Sequence, residues 1–129
     1  MIVVVCGLIG AGKSTYARAH FEHITECEGA TTKWDQICQT LAWDDMGETV
    51  AHVTCYPTSE ESSAFAHRDV QYLWINTNPA QAMANIYNRG RERDLADLQY
   101  IAAKNRELFT KLAVSGFHEQ EVFETSERW

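Results

Sequence analysis

Gly7-Leu8-Ile9-Gly10-Ala11-Gly12-Lys13-Ser14 satisfies G-x-x-x-x-G-K-[ST] in full, directly after the unbroken apolar run Ile2–Cys6. A β-branched run without alternation suits a strand buried on both faces of a parallel sheet. The residues after the loop, from Ser14 to about His23, read as a helix with Tyr16, Ala17, Phe21 and Ile24 on one face. Strand, glycine loop and helix in this order place backbone N–H groups and a helix N-terminus around one point, which suits a polyphosphate. A Cβ would hold phosphate away from the backbone, hence the glycines. Lys13 supplies a point charge for the β- and γ-phosphates, and Ser14 a hydroxyl for Mg²⁺.

The rest of the chain extends the pattern. A second strand is expected over Ala30–Trp34, with Asp35 at its exit and a helix from about Gln36 to Trp43. Asp44–Gly47 is a turn and Thr49–Cys55 a third strand, with Ser59-Glu60-Glu61-Ser62 resembling a helix start. Val70–Asn76 is a fourth strand, and Asn78-Pro79 is an N-cap and first-turn proline that opens a helix to about Asn88. Leu95, Leu98, Ala102, Asn105, Phe109 and Leu112 then recur at helical spacing, predicting one long helix that ends near Ser115-Gly116. The acidic stretch Glu119–Glu127 is expected as a short strand or a solvated appendage, with Val122-Phe123 packing on the sheet. The fold class is therefore α/β, a three-layer sandwich around a mostly parallel sheet of four to five strands. With 129 residues, the whole of 1–129 forms a single domain, with a lid at about 88–94 and an acidic tail at 117–129.

Charge and cysteine content narrow the function. A net charge of −7 argues against extended binding to duplex nucleic acid. The run Ile2–Cys6 is far short of the ~20 residues of a membrane helix, and no basic residue precedes it as in a secretory signal. Cys6, Cys27, Cys38 and Cys55 form no CxxC pair, and the five histidines show no ligand spacing. Reduced thiols and a cytoplasmic location are expected. The histidines, and Trp34, Trp43 and Trp74, are read as surface or packing residues, although Trp34 beside Asp35 could face an acceptor. Of eleven Lys and Arg, five fall between Arg89 and Arg106, whereas Trp34–Asn88 holds one, Arg68, against seven carboxylates.

The form Gly10-Ala11-Gly12-Lys13-Ser14-Thr15 resembles the P-loop kinases related to phage polynucleotide 5′-hydroxyl kinase, zeta-toxin-type kinases and nucleotide kinases. The resemblance spans roughly Met1–Leu112 and is motif-specific at Gly7–Thr15. It implies ATP (or GTP) with Mg²⁺ as the donor, held by Gly7, Gly10, Ala11, Gly12, Lys13, Ser14 and Thr15. It also implies an acidic residue after the second strand that accepts the proton of the attacking hydroxyl. Asp35, in Lys33-Trp34-Asp35-Gln36, matches that place; it is also the second candidate ligand for Mg²⁺ after Ser14, and its other reading is a helix cap. Asn88-Arg89-Gly90-Arg91-Glu92-Arg93 matches the family's mobile lid, with Arg89 the first and Arg93 the second candidate to stabilise the transferring phosphoryl group or stack on the adenine. The other reading of this segment is a solvated turn between helices.

Two departures stand out. Cys38 replaces an arginine common three residues after the acidic residue, and Cys55 replaces an aspartate that often ends the third strand. With few bases in the middle section, a neutral hydroxyl acceptor is at least as well suited as a nucleoside monophosphate. The expected function is γ-phosphate transfer to a hydroxyl or phosphate of a nucleoside, a nucleotide or a polynucleotide 5′-end. The alternatives are a kinase of another small hydroxyl compound, or a nucleotide-binding or slow NTPase module that acts through a partner. The oligomeric state is open.

Overall fold

In the computed structural model, which describes residues 1–27 and 32–121, β1 (Ile2–Gly7) lies at the centre of a five-stranded sheet. Its neighbours are β3 (Val50–Val53) and β4 (Val70–Ile75), with β2 (His23–Thr25) and β5 (His118–Gln120) at the edges, in the order β2-β3-β1-β4-β5. Every pairing is parallel; Val4, for example, stands between His52 and Tyr72. Central placement explains the run of branched residues in β1, whose residues Ile2–Cys6 are all buried.

Helices supply the covering layers. α1 (Lys13–His20) packs on β1 and β3, and α2 (Lys33–Asp45) packs on β2 and β3. α3 (Ser59–Phe65) buries Phe65. α4 (Pro79–Arg89) packs on α6 (Leu98–Ala113), which touches β1 and buries Ile101, Leu108 and Leu112. The short α5 (Glu92–Ala96) lies between α4 and α6. Two capping boxes open helices: Thr32 with Asp35 for α2, and Thr58 with Glu61 for α3. Asn78 and Pro79 open α4 as expected, and Gly90 ends it in the left-handed conformation.

Four expectations are corrected. The second strand is His23–Thr25 rather than Ala30–Trp34, because pairing with β3 through His23–Val50 makes a strand of a segment too short to show alternation. Thr32 is the N-cap of α2, whose helical residues begin at Lys33 rather than Gln36. The first helix stops at His20, ahead of that strand. The single long helix is two, separated at Asp97. The acidic tail begins with the short strand β5, whereas Val122 and Phe123 lie outside the described residues. Among the described residues no helix is long and apolar enough to cross a membrane.

Candidate active site

Parallel strands all point their C-terminal ends one way, so the loop after β1, the exits of β2 and β3, and the segment after α4 share one side of the sheet. There they enclose a cavity of about 610 Å³, the size of a small-ligand site. Gly10, Ala11, Gly12, Lys13, Ser14 and Thr15 form its floor. Arg89, Arg91, Arg93 and Asp94 come from the α4–α5 segment, and Arg18, Glu26, Cys27, Lys33 and Val53–Cys55 from the side of β2 and β3. In a chain of net charge −7, this cavity gathers six basic side chains and two carboxylates. Such a hollow attracts polyanions.

The loop's shape is fixed by contacts from distant elements. Asn105, fully buried on α6, accepts from the Ile9 N–H and donates to the Ile9 carbonyl, both at 2.9 Å. Asn85 on α4 donates to the Gly10 carbonyl at 2.9 Å, and Thr77 after β4 donates to the Ala11 carbonyl at 2.8 Å. Gly10 has φ +87°, and a Cβ there would lie 2.6 Å from the Ala82 carbonyl oxygen and 2.7 Å from Ile86. Its glycine is thus required by the close approach of α4. Gly12, at φ 96°, turns the loop into α1. The Lys13 ammonium donates to the carbonyls of Leu8 (2.7 Å) and Gly7 (3.1 Å) and lies 3.6 Å from Cys55 Sγ. Gly7 itself is not among the cavity-lining residues; it packs beneath Lys13 and Ala11.

The chain has the P-loop kinase fold. A structure of deoxyadenosine kinase from M. mycoides with bound dATP superposes with a TM-score of 0.56 at 14% sequence identity, covering 98% of this chain and 94% of that one. A structure of deoxyadenosine kinase from M. mycoides with products dCMP and a flexible dCDP bound gives a TM-score of 0.49 at 15% identity, over 95% of this chain and 90% of that one. No family profile and no curated protein sequence matches the chain. At fold level the likeness is to a nucleotide-binding P-loop kinase, and not to phage polynucleotide kinase in particular.

Of the residues singled out in the sequence, Gly10–Thr15, Arg89 and Arg93 meet in this cavity. Asp35 does not line it. Its carboxylate accepts from the Thr32 N–H at 3.1 Å and its own N–H donates to the Thr32 hydroxyl at 3.1 Å, closing the N-terminus of α2. The carboxylate at the exit of β2 is Glu26, nine residues earlier, which lines the cavity beside Arg18 at 3.4 Å. Placing the second strand at Ala30–Trp34 hid Glu26; a carboxylate directly after the β-branched pair Ile24-Thr25 was its signal. Trp34, read as a packing residue, is 59% exposed and does not line the cavity. Arg68, the base of the middle section, is tied to Asp44 (3.0 Å) and Asp45 (2.7 Å) beside the chain's N-terminus, at the far end of the strands.

Behind the β2–β3 wall lies a buried polar network. Glu61 accepts from His52 Nε2, from Lys33 Nζ at 3.1 Å and from the Thr58 N–H at 2.9 Å. Burial opposes ionisation of Glu61, yet these hydrogen bonds and the Lys33 charge prevail and hold its pKa at about 2. Burial lowers the pKa of His52, despite its carboxylate neighbour. His52 is therefore a neutral ring that donates from Nε2 to Glu61 and accepts from the Thr40 hydroxyl at Nδ1, 2.7 Å away.

Among the described residues, no three His, Cys, Asp or Glu side chains converge as a metal site. The Ser14 hydroxyl on the cavity floor suits Mg²⁺, which needs few protein ligands when phosphate oxygens complete its shell.

Proposed function

We propose that this chain is a nucleoside kinase, moving the γ-phosphoryl group of ATP or GTP onto a hydroxyl of a nucleoside. One observation carries the reading: the glycine loop, Arg89, Arg93 and Glu26 line a single cavity. The loop amides and Lys13 hold the β- and γ-phosphates, Ser14 would hold Mg²⁺, and the ion would neutralise charge on the phosphate oxygens. Arg89 and Arg93, carried by the segment around Gly90, meet the charge that spreads over the equatorial oxygens. Glu26 orients the acceptor hydroxyl and takes its proton.

The acceptor wall favours a neutral substrate. Its ammonium, Lys33, has three hydrogens, and Gln36 (2.9 Å), Glu61 (3.1 Å) and Thr54 (3.2 Å) receive them. Arg18 is engaged with Glu26 and Arg68 lies at the other end of the sheet. The deoxyadenosine kinase named above supports a nucleoside as the acceptor.

The test is transfer of label from γ-³²P-ATP to nucleosides, nucleoside monophosphates and 5′-hydroxyl oligonucleotides. Label should enter nucleosides, and Glu26→Gln should lower transfer by roughly 10²- to 10⁴-fold with triphosphate binding intact. Transfer to monophosphates alone, or loss in Asp35→Asn instead of Glu26→Gln, would overturn it.

A further inference from the structure

Beneath the acceptor wall, Gln36 ties two strand exits together. Its Nε2 donates to the carbonyls of Thr25 (2.9 Å) and Val53 (2.8 Å), the last residues of β2 and β3. The next residues, Glu26 and Thr54, line the cavity. The Gln36 Oε1 accepts from Lys33 at 2.9 Å and from the Cys27 thiol at 3.3 Å. All four hydrogen-bonding positions of the amide are filled, and the ammonium on Oε1 decides which way the amide faces. Lys33 is fixed in turn by Glu61, which is fully buried and held by His52 and Thr58.

We propose that Lys33 and Glu61 are a positioning pair: through Gln36 they hold the exits of β2 and β3, and with them Glu26, at a fixed place opposite the phosphate loop. The role of Glu26 as proton acceptor rests on the function proposed above; the clamp itself does not. Two features favour positioning over either ligand binding or plain stability. Lys33 lines the cavity with its side chain 32% exposed, yet its hydrogens are directed to protein acceptors. With Glu61 fully buried and Lys33 only partly so, the pair is a poor source of net stability compared with apolar packing of the same shape, and in some proteins such pairs serve to fix geometry.

The variants are Lys33→Met, Glu61→Gln and the two combined. Each single change should lower kcat for phosphoryl transfer by about 10- to 100-fold, the cost of a small misplacement of a reacting group. KM for ATP should stay within about twofold, and the double variant should be no worse than the worse single one, because the two residues act as a unit. If Lys33→Met leaves Glu61 uncompensated and fails to fold, the double variant carries the test, since it removes both charges. Independently of catalysis, hydrogen exchange at the amides of 25–27 and 54–55 should quicken in the double variant while α6 remains protected. Wild-type kcat in a folded double variant, or unchanged protection at those amides, would overturn the pair. A wild-type protein that phosphorylates no acceptor would refute the nucleoside kinase, and the exchange measurement would then decide the clamp alone.

Discussion

Asn105 sits in the apolar stripe of α6, where a polar side chain costs free energy unless every one of its groups is matched. Both of its amide groups bond the backbone of Ile9. Replacing it with leucine should leave an N–H and a carbonyl of the loop without partners, at about 1–3 kcal/mol. The loop should also loosen, so urea unfolding and triphosphate titration should report losses together. Gly10→Ala is expected to be worse, because the added methyl meets the Ala82 carbonyl oxygen at 2.6 Å in a left-handed conformation. A thermal midpoint equal to that of the wild type would contradict both the conformation and the contact. The motif Gly7–Ser14 was legible because its chemistry is local. Asn105 was visible as a polar residue in an apolar series, but its partner lies 96 residues away and nothing in the spacing names it.

At the scale of elements, Asp35 closes the first turn of α2 as a cap and does not line the cavity. Thr32 and Asp35 exchange hydrogen bonds across the first turn, so Asp35→Ala should cost roughly 1 kcal/mol of stability. It should leave label transfer unchanged. Comparing its urea midpoint and its turnover with those of Glu26→Gln separates the two roles. The long central strands and the proline-opened helix were readable from composition and caps. β2 was not, since three residues with Ile24 as their single apolar member make a strand by pairing with β3 and not by pattern. The break at Asp97 was equally hidden, because helical spacing continues across it from Leu95 to Leu98.

Across the whole molecule, charge is sorted along the strand direction. Basic side chains gather where the strands end, while Met1, Asp44, Asp45 and Arg68 form a separate ionic group where they begin. Acid should act on the interior first. The folded state lowers the pKa of His52 below its ordinary 6.5, so the unfolded chain takes up a proton more readily and stability falls as pH drops below that value. Glu61 is lowered from 4.5 to about 2, so its contribution is complete above 4.5 and is lost as pH falls towards 2. Urea midpoints measured from pH 8 to pH 3 should therefore decline in two stages. A midpoint constant from pH 7 to pH 5 would show that His52 is not held neutral. The sequence marked His52 as an ordinary filler, since the burial that governs its proton depends on α2, α3 and β3 together.

The bond between Ile9 and Asn105 also bears on how the chain is made. During synthesis the glycine loop leaves the ribosome well before the side chain that shapes it, which follows 96 residues later. A nascent chain arrested before Asn105 should be unable to capture a triphosphate, and a nucleotide could stabilise this protein only once α6 has docked.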